Sequence, residues 1–161
     1  MARDHARVKT SIWEDADFLG LKVAEQHLYL ALMSNKGLSR VGVVDYIPNR
    51  FDHLAIDLTA AKFSRAIAGL CESRFVVLDE RTQELLLRSY VRHDGVLDRV
   101  NMGKAVGTAF EAVVSARIKR AIGDELARIM REDPSLAGWM GLGDTSPKAH
   151  AMACRMESSI R

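Results

Sequence analysis

Two basic side chains, Lys62 and Arg65, lie three residues apart in a stretch whose apolar residues repeat at helical spacing. Residues three apart share one face of a helix. Lysine and arginine donate hydrogen bonds to phosphate oxygens, and arginine also pairs with the edge of guanine. On the same face, Ala68 and Gly69 are small enough to let another surface approach closely, whereas the carboxylate of Glu72 would repel phosphate. The pattern predicts a helix that contacts DNA.

The helix that must position these residues is the second of a predicted helix-turn-helix pair. Thr59 interrupts the apolar pattern and can cap the second helix. A helix-turn-helix places its second helix in the DNA major groove. The apolar stripes of the two helices are Phe51, Leu54, Ala55 and Leu58, which follow Pro48 and Asn49, and then Phe63, Ala66, Ile67 and Leu70.

Two apolar segments follow at once and predict a β-hairpin. They are Phe75 to Leu78 (FVVL) and Glu84 to Val91 (ELLLRSYV), joined by the polar residues 79–83. In a winged helix this loop is the wing, which touches the DNA backbone or minor groove. Its acids outnumber its one base, so we expect it to add little DNA affinity. The charged residues are Asp79, Glu80, Glu84 and Arg81.

The second hairpin segment carries a further basic group. Arg88 and Arg92 share a strand face with Tyr90 if the period of two persists to that point. They either contact DNA or are simply solvated strand residues. The predicted DNA-binding residues are therefore Thr59, Lys62, Ser64, Arg65, Arg81, Arg88 and Arg92.

The segments before the helix-turn-helix complete a winged-helix order. Val8 to Trp13 predicts a lead-in strand, and a first long helix is expected from Val23 to Ser34, closed by Gly37 in a left-handed conformation. Gly42 to Ile47 predicts a strand that pairs with the hairpin. The expected fold is α+β and mostly helical, a winged helix-turn-helix (helix-strand-helix-helix-strand-strand) over residues 1–98.

After residue 98 the pattern becomes helical, and residues 99–140 predict a helical extension. One helix is expected from Met102 to Val114 with Asn101 as its cap, and another from Ala116 to Arg131 with Ser115 as its cap. Asp133-Pro134 should end the second helix. Its polar side is basic and consists of Arg117, Lys119, Arg120, Arg128 and Arg131.

Residues 141–161 are rich in glycine and serine at first and predict a linker, followed by a short helix.

Two apolar stripes lie in this half of the chain, and one small domain offers no obvious element to cover them. We expect residues 101–160 to form a homodimer, or else a docking surface for a phage or host protein; the alternative is that both helices fold back and leave a monomer. The stripes are Ile118, Ile122, Leu126 and Ile129, and Ala149, Met152, Met156 and Ile160.

Charge is divided unevenly along the 161 residues. Residues 1–98 hold 13 basic and 14 acidic side chains, a net charge of −1, and residues 99–161 hold 10 and 7, a net charge of +3. Each neutralised phosphate adds to DNA affinity. Residues 1–98 are nearly neutral and must therefore bind DNA through local clusters of basic side chains.

Other functions find little support in the sequence. The five histidines show no HExxH spacing, the two cysteines (Cys71 and Cys154) no Cys-x-x-Cys spacing, and the glycines no phosphate-binding loop. His93-Asp94 lacks a nucleophile. We expect no enzyme, no metal, no cofactor, no membrane span and no signal peptide, and hence a cytoplasmic protein with reduced thiols.

Several stretches resemble a family of phage proteins. They are SIWEDADFLGL, AEQHLYLAL, GVVDYIPNRF, RFVVLDERTQELLLRSYVRHDGV and EDPSLAGW, and together they span most of residues 11–139. The chain resembles helix-turn-helix DNA-binding and replication-initiation proteins of actinobacterial phages, and is similar in layout to the N-terminal winged-helix domain of phage replisome organisers. The resemblance implies a protein that binds double-stranded DNA in the bacterial host cell and marks a replication origin.

Two alternatives use the same fold. A transcriptional regulator would present the same residues to DNA. A winged helix that has lost DNA binding would instead contact a host or phage protein, which the near-neutral charge and acidic wing favour.

Overall fold

The computed structural model describes residues 5–51 and 53–155. This part of the chain is α+β and mostly helical, with one small antiparallel sheet. Its strands are β1 (Val43–Asp45), β2 (Val76–Asp79) and β3 (Glu84–Leu87). Its helices are α1 (Ala16–Leu19), α2 (Val23–Met33), α3 (Ala60–Glu72), α4 (Tyr90–His93), α5 (Val100–Ala112), α6 (Ala116–Glu132), α7 (Gly138–Thr145) and α8 (Pro147–Cys154).

The sheet has the strand order β1-β3-β2, so the last strand in sequence is the central one. Leu85 of β3 lies opposite Val44 on one side and Leu78 on the other. Every residue of β3 is buried, and successive side chains point to opposite faces. Both faces of the sheet are therefore covered by protein.

Each face of the sheet has its own apolar core. Leu85 and Leu87 belong to the core formed with α2 and α3, together with Phe18, Leu28 and Leu70. Leu86 belongs to the core on the opposite face, which is formed with α5, α6, α7 and α8. The sheet is thus the middle layer of three, and the second core joins residues of both halves of the chain.

The prediction for α3 is confirmed in its stripe and its cap. The backbone N–H of Lys62 donates to the hydroxyl oxygen of Thr59 (3.3 Å), and Phe63, Ala66, Ile67 and Leu70 are all buried. The strand before it is also confirmed, since β1 pairs with β3. A thirteen-residue helix with one apolar face is stabilised mainly by this burial.

Two predictions for the N-terminal half are wrong. Val8 to Trp13 is not a strand, because Thr10–Glu14 is a 3₁₀-helix. Gly37 does not take a left-handed conformation; Gly42 does, with φ of 82°, where the chain turns into β1.

The predicted first helix of the helix-turn-helix is also wrong. Pro48–Arg50 is a 3₁₀-helix, and the described residues from Phe51 to Leu58 form turns. Their backbone hydrogen bonds join residues three apart, as from the N–H of Leu54 to the carbonyl of Phe51 (3.1 Å). Phe51 is anchored by stacking on Phe63 (5.1 Å between ring centroids). A segment this short gains little free energy from helix formation. The stacking of one ring is therefore enough to favour another backbone conformation.

The predicted strand from Glu84 to Val91 ends early. β3 stops at Leu87, and Tyr90–His93 forms α4. The Tyr90 hydroxyl donates to Asp94 (2.7 Å), which lies four residues later and so holds the helical turn.

In the C-terminal half, α6 is confirmed with its Ser115 cap and its end before Asp133. The cap predicted at Asn101 is wrong, because α5 begins at Val100 and the capping position is held by Arg99. The linker predicted from residue 141 is wrong as well, since α7 and α8 occupy residues 138–154. Ala149 of the second stripe is buried and Met152 packs on the core, whereas Met156 and Ile160 lie outside the described residues.

The stripe that suggested a dimer is covered within the chain. Ile118, Ile122 and Leu126 are at most 1 % exposed, and Ile129 is 7 % exposed. They pack in the core beneath the sheet with residues of α5, α7 and α8. The reason for expecting a dimer through this stripe is therefore removed, and the second stripe is covered as far as the described residues extend, through Ala149 and Met152.

We accordingly expect a monomer in solution. Light scattering coupled to gel filtration should give 17.9 kDa across micromolar concentrations. A substitution of Ile122 by aspartate should unfold the chain rather than release a partner, because Ile122 is buried in its own core. A mass near twice the chain mass at micromolar concentration would contradict this expectation.

Candidate nucleic-acid interface

The outer face of α3 is where the sequence predicts contact with a nucleic acid. The opposite face of α3 is buried in the core, so the exposed side chains point away from the protein. Lys62, Ser64 and Arg65 are exposed, with Ala61 and Ala68 beside them. Arg65 forms no ion pair within the described residues. The predicted face is thus present in the structure for Lys62, Arg65 and Ala68.

Lys62 on this face has an acidic neighbour. Its ammonium nitrogen lies 3.2 Å from the Asp57 carboxylate, and both side chains are at least half exposed. The hydrogen bond from Lys62 lowers the pKa of Asp57. Exposed ion pairs contribute little free energy because water and salt screen them. Lys62 can therefore leave Asp57 for a phosphate group at small cost.

Thr59 has the capping role that the sequence predicts, whereas the place predicted for Gly69 on the DNA-facing side of the helix is wrong. The Thr59 oxygen accepts the N–H of Lys62, which leaves its hydroxyl hydrogen for a further acceptor. Gly69 faces α2 rather than solvent: a Cβ atom there would overlap the Glu25 carboxylate. Glu25 is buried and accepts the backbone N–H of Lys22 (2.9 Å) at the start of α2. Gly69 therefore serves helix packing.

The hairpin loop is less acidic at its tip than its composition suggests. The Ser115 hydroxyl donates to Asp79 (2.5 Å), and this hydrogen bond is the main cause of the lowered pKa of Asp79. The backbone N–H groups of Val114 and Ser115 donate to Glu84 (2.8 and 2.6 Å). Both carboxylates thus face the start of α6, where the helix dipole favours negative charge.

The exposed tip retains only two charged side chains, Glu80 and Arg81, which are opposite in sign. The backbone N–H of Arg81 donates to Asp79 (3.1 Å), which fixes the turn but leaves the guanidinium exposed. The loop therefore adds one base and one acid to the surface instead of a net negative charge.

The basic strand face predicted for Arg88 and Arg92 is wrong. Arg88 follows the end of β3, and its Nε lies 3.5 Å from the buried carboxylate of Glu125 in α6. Arg92 belongs to α4 and pairs with Glu132 (3.1 Å). Both arginines join the hairpin region to α6, so neither lies with Lys62 and Arg65.

One cation near the loop was missed by the site prediction. Arg117 is exposed, and its Nη1 donates to the carbonyl of Leu78 (3.2 Å) on the edge strand β2. The hydrogen bond from Ser115 to Asp79 brings the start of α6 to the same end of the sheet. The basic side of α6 was the available indication, but only the packing shows which of its residues reaches the hairpin.

The described residues also bear on metal binding and on membrane association. They contain no group of three or more histidine, cysteine or acidic side chains that could hold a metal ion. Within the same residues no helix is both long and apolar enough to cross a membrane. Cys71 and Cys154 are free thiols.

Comparisons with protein-family models, with curated proteins and with solved structures find no match to this chain. The arguments for a function therefore rest on the geometry of α3, the hairpin and α6.

Proposed function

We propose that the protein binds double-stranded DNA through the outer face of α3. The observation that carries this proposal is Arg65, which is exposed and without an ion-pair partner among the described residues, in the middle of a helix fixed by its buried face. A rigid helix that presents arginine, lysine and small side chains matches the width of the major groove. Thr59, Lys62 and Ser64 accompany Arg65 on this surface.

The order of elements supports a winged-helix interpretation. A helix, a strand, α3 and a hairpin follow one another, and the first strand pairs with the last. In this interpretation α3 is the recognition helix and the loop at residues 80–83 is a short wing. The chain differs from the usual arrangement before α3, where turns anchored by Phe51 replace the first helix of the pair.

The charges imply modest affinity with a shallow salt dependence. The proposal assigns four exposed cations to the DNA surface: Lys62, Arg65, Arg81 and Arg117. Each phosphate that is neutralised contributes about −0.9 to the slope of log affinity against log salt concentration, so we expect a slope of about −3 to −4.

A role in starting phage replication rests on the family resemblance and not on the geometry. Transcriptional regulation would use the same contacts. Selection of bound fragments from a random DNA pool, repeated at several salt concentrations, tests DNA binding itself. A selected sequence placed at an origin rather than upstream of genes would favour the replication role.

The prediction for the recognition face concerns Arg65. Arg65→Ala should weaken binding to the selected DNA by about 1–3 kcal/mol and relax the preference at one base pair, as expected for a base contact. Lys62→Ala should weaken binding to all sequences alike, because we assign Lys62 to phosphate. Fluorescence anisotropy with labelled duplexes measures both effects.

The matched controls for these variants are Arg99→Ala and Lys148→Ala, which remove the same charges from exposed positions outside the proposed surface. They should leave affinity nearly unchanged. Equal losses in the controls would indicate a general charge effect, and unchanged affinity in both Arg65→Ala and Lys62→Ala would exclude α3 as the contact.

A second candidate function is protein binding at the same side of the molecule. Ile56, in the turns before α3, is fully exposed. An apolar side chain beside a weakly charged face is more useful for a protein partner than for DNA. Ile56→Ser should leave DNA affinity unchanged if the first proposal holds, whereas absence of any DNA selection would favour a protein partner.

A further inference from the structure

A cavity of about 110 Å³ lies on a different part of the molecule from the outer face of α3. The N-terminal segment, with Arg7 and Lys9, forms one wall, and Tyr29 and Met33 of α2 form another. Ser89 and Asp94, at the two ends of α4, also line the cavity. None of the exposed residues of α3 lines this cavity.

The inner end of the cavity is aromatic. Phe18, Tyr29 and Phe75 meet there, with the rings of Tyr29 and Phe75 edge to face at 5.3 Å between centroids. Phe18 lies within 6.3 Å of both rings. Ring edges and faces of this kind attract a further aromatic ring in an offset or edge-to-face arrangement. Burial raises the pKa of Tyr29, and its phenol is hydrogen-bonded to the side chain of Ser89.

The volume limits what the aromatic end can hold. An apolar cavity of roughly 150 Å³ accommodates benzene. The present cavity is somewhat smaller, but it is partly open to solvent, so a substituent on the ring could extend outward. We therefore expect room for one six-membered ring at most, with any substituent outside the cavity.

The rim carries two carboxylates and two cations, and both carboxylates are held by hydrogen bonds within the protein, whereas neither cation is held by an ion pair in the part of the chain that the structure describes. The Asp15 carboxylate accepts the N–H groups of Asp17 and Phe18 (2.9 and 3.1 Å), and Asp94 accepts the Tyr90 hydroxyl. Arg7 and Lys9 are exposed and form no ion pair within the described residues.

The remaining ionisable group at the rim, His93, stays neutral. Its pKa is lowered first by burial and then by Lys9 and Arg92, which outweigh the opposite effects of Asp15 and Glu132. The local field at this wall is therefore positive, which suits an anion.

We propose that this cavity is a binding site for a small aromatic carboxylate. The ring would lie against Phe18, Tyr29 and Phe75, and the carboxylate would lie at the rim between Arg7 and Lys9. The proposal is independent of DNA binding, because it uses none of the residues of the α3 face.

The test uses the full chain and benzoate as the probe. Isothermal titration calorimetry should show saturable binding at one site, and the ring proton resonances of Phe18, Tyr29 and Phe75 should shift. Benzamide has the same shape without the charge, and we expect it to bind about tenfold or more weakly, because it lacks the attraction to the two cations. Acetate and 2-naphthoate should not bind, since the first lacks the ring and the second exceeds the volume.

Variants locate the site. The double variant Arg7→Gln/Lys9→Gln should lose benzoate affinity about tenfold or more. These side chains are exposed, so the fold should not change. The control Lys36→Gln/Lys148→Gln removes the same total charge from exposed positions elsewhere and should bind benzoate as the unaltered chain does.

Three outcomes would overturn the proposal. Benzamide could bind as tightly as benzoate, the Arg7→Gln/Lys9→Gln variant could bind benzoate normally, or benzoate could fail to bind at concentrations up to about 10 mM. Any of these would show that the cavity does not recognise an aromatic anion.

Discussion

Replacing Arg88 by methionine should lower the free energy of unfolding by about 3 kcal/mol or more, because a buried carboxylate would lose its nearest cation. The Glu125 side chain is only 3 % exposed, and its Oε1 lies 3.5 Å from Arg88 Nε. Arg128 is its other cation, at 3.7 Å. Arg88 Nε and Glu125 Oε2 have no hydrogen-bond partner, so the pair is not fully satisfied even when both members are present.

The pair should therefore behave differently when both members are removed. Arg88→Met together with Glu125→Leu replaces the charges by apolar side chains of similar volume, a change that is often neutral or stabilising in buried pairs. Urea denaturation of the two single variants and the double variant gives the interaction energy. We expect the double variant to be more stable than Arg88→Met alone.

Arg92→Met is the matched control, since it removes an arginine that also pairs with α6. Its partner Glu132 is half exposed, so the loss should be below about 1 kcal/mol. The opposite pattern is informative: if Arg88→Met kept full stability but bound DNA less tightly, Arg88 would belong to the DNA surface and its pairing with Glu125 would be unimportant.

Elements whose pattern is local could be predicted from the sequence. The stripe and cap of α3 and those of α6 depend on residues three or four apart, and a hydroxyl at the capping position acts within its own turn. The strand β1 has the same local character, since Val43 and Val44 supply one side chain to each face of the sheet.

Elements that depend on tertiary packing could not be predicted. Nothing in the run from Glu84 to Val91 indicates that the strand ends at Leu87, because that end is set by the neighbouring strand: Val76, opposite Leu87, is the first residue of β2. The turns before α3 depend on the stacking of Phe51 on Phe63, which are twelve residues apart.

The candidate site likewise has features that the sequence predicts and features that depend on tertiary packing. Exposure of Lys62 and Arg65 follows from the apolar stripe on the other side of their own helix. The inward orientation of Asp79 and Glu84 does not follow from the hairpin sequence, because their partners Val114 and Ser115 lie about thirty residues later. Charge counted along the loop therefore overstates the negative charge at its exposed tip.

The glycine-rich stretch near residue 141 is where the sequence prediction and the structure differ most. Substitutions of its glycines test whether this stretch is the helix α7 or a linker. Gly103 of α5 and Gly138 and Gly141 of α7 lie where the two helices cross. A Cβ atom on Gly103 would overlap the carbonyl of Gly138, and one on Gly141 would overlap the carbonyl of Val100. The obstacles are backbone atoms, which cannot rotate away as a side chain can.

Gly103→Ala and Gly141→Ala should therefore each lower the free energy of unfolding by about 3 kcal/mol, because the added methyl group forces two packed helices apart. Chemical denaturation measures the loss. Since both substitutions disrupt one crossing, the double variant should cost less than the sum of the two.

Gly143→Ala provides the matched control on the same helix. The nearest atoms to its added Cβ are ring carbons of His150 at 3.7 Å, which is ordinary contact. Alanine is also a better helix former than glycine, so this variant should gain about 0.5–1 kcal/mol. If residues 141–147 were a flexible linker, Gly141→Ala and Gly143→Ala would have similarly small effects. A large difference between two glycines only two residues apart requires an ordered helix with one face against α5, because only a fixed face distinguishes them.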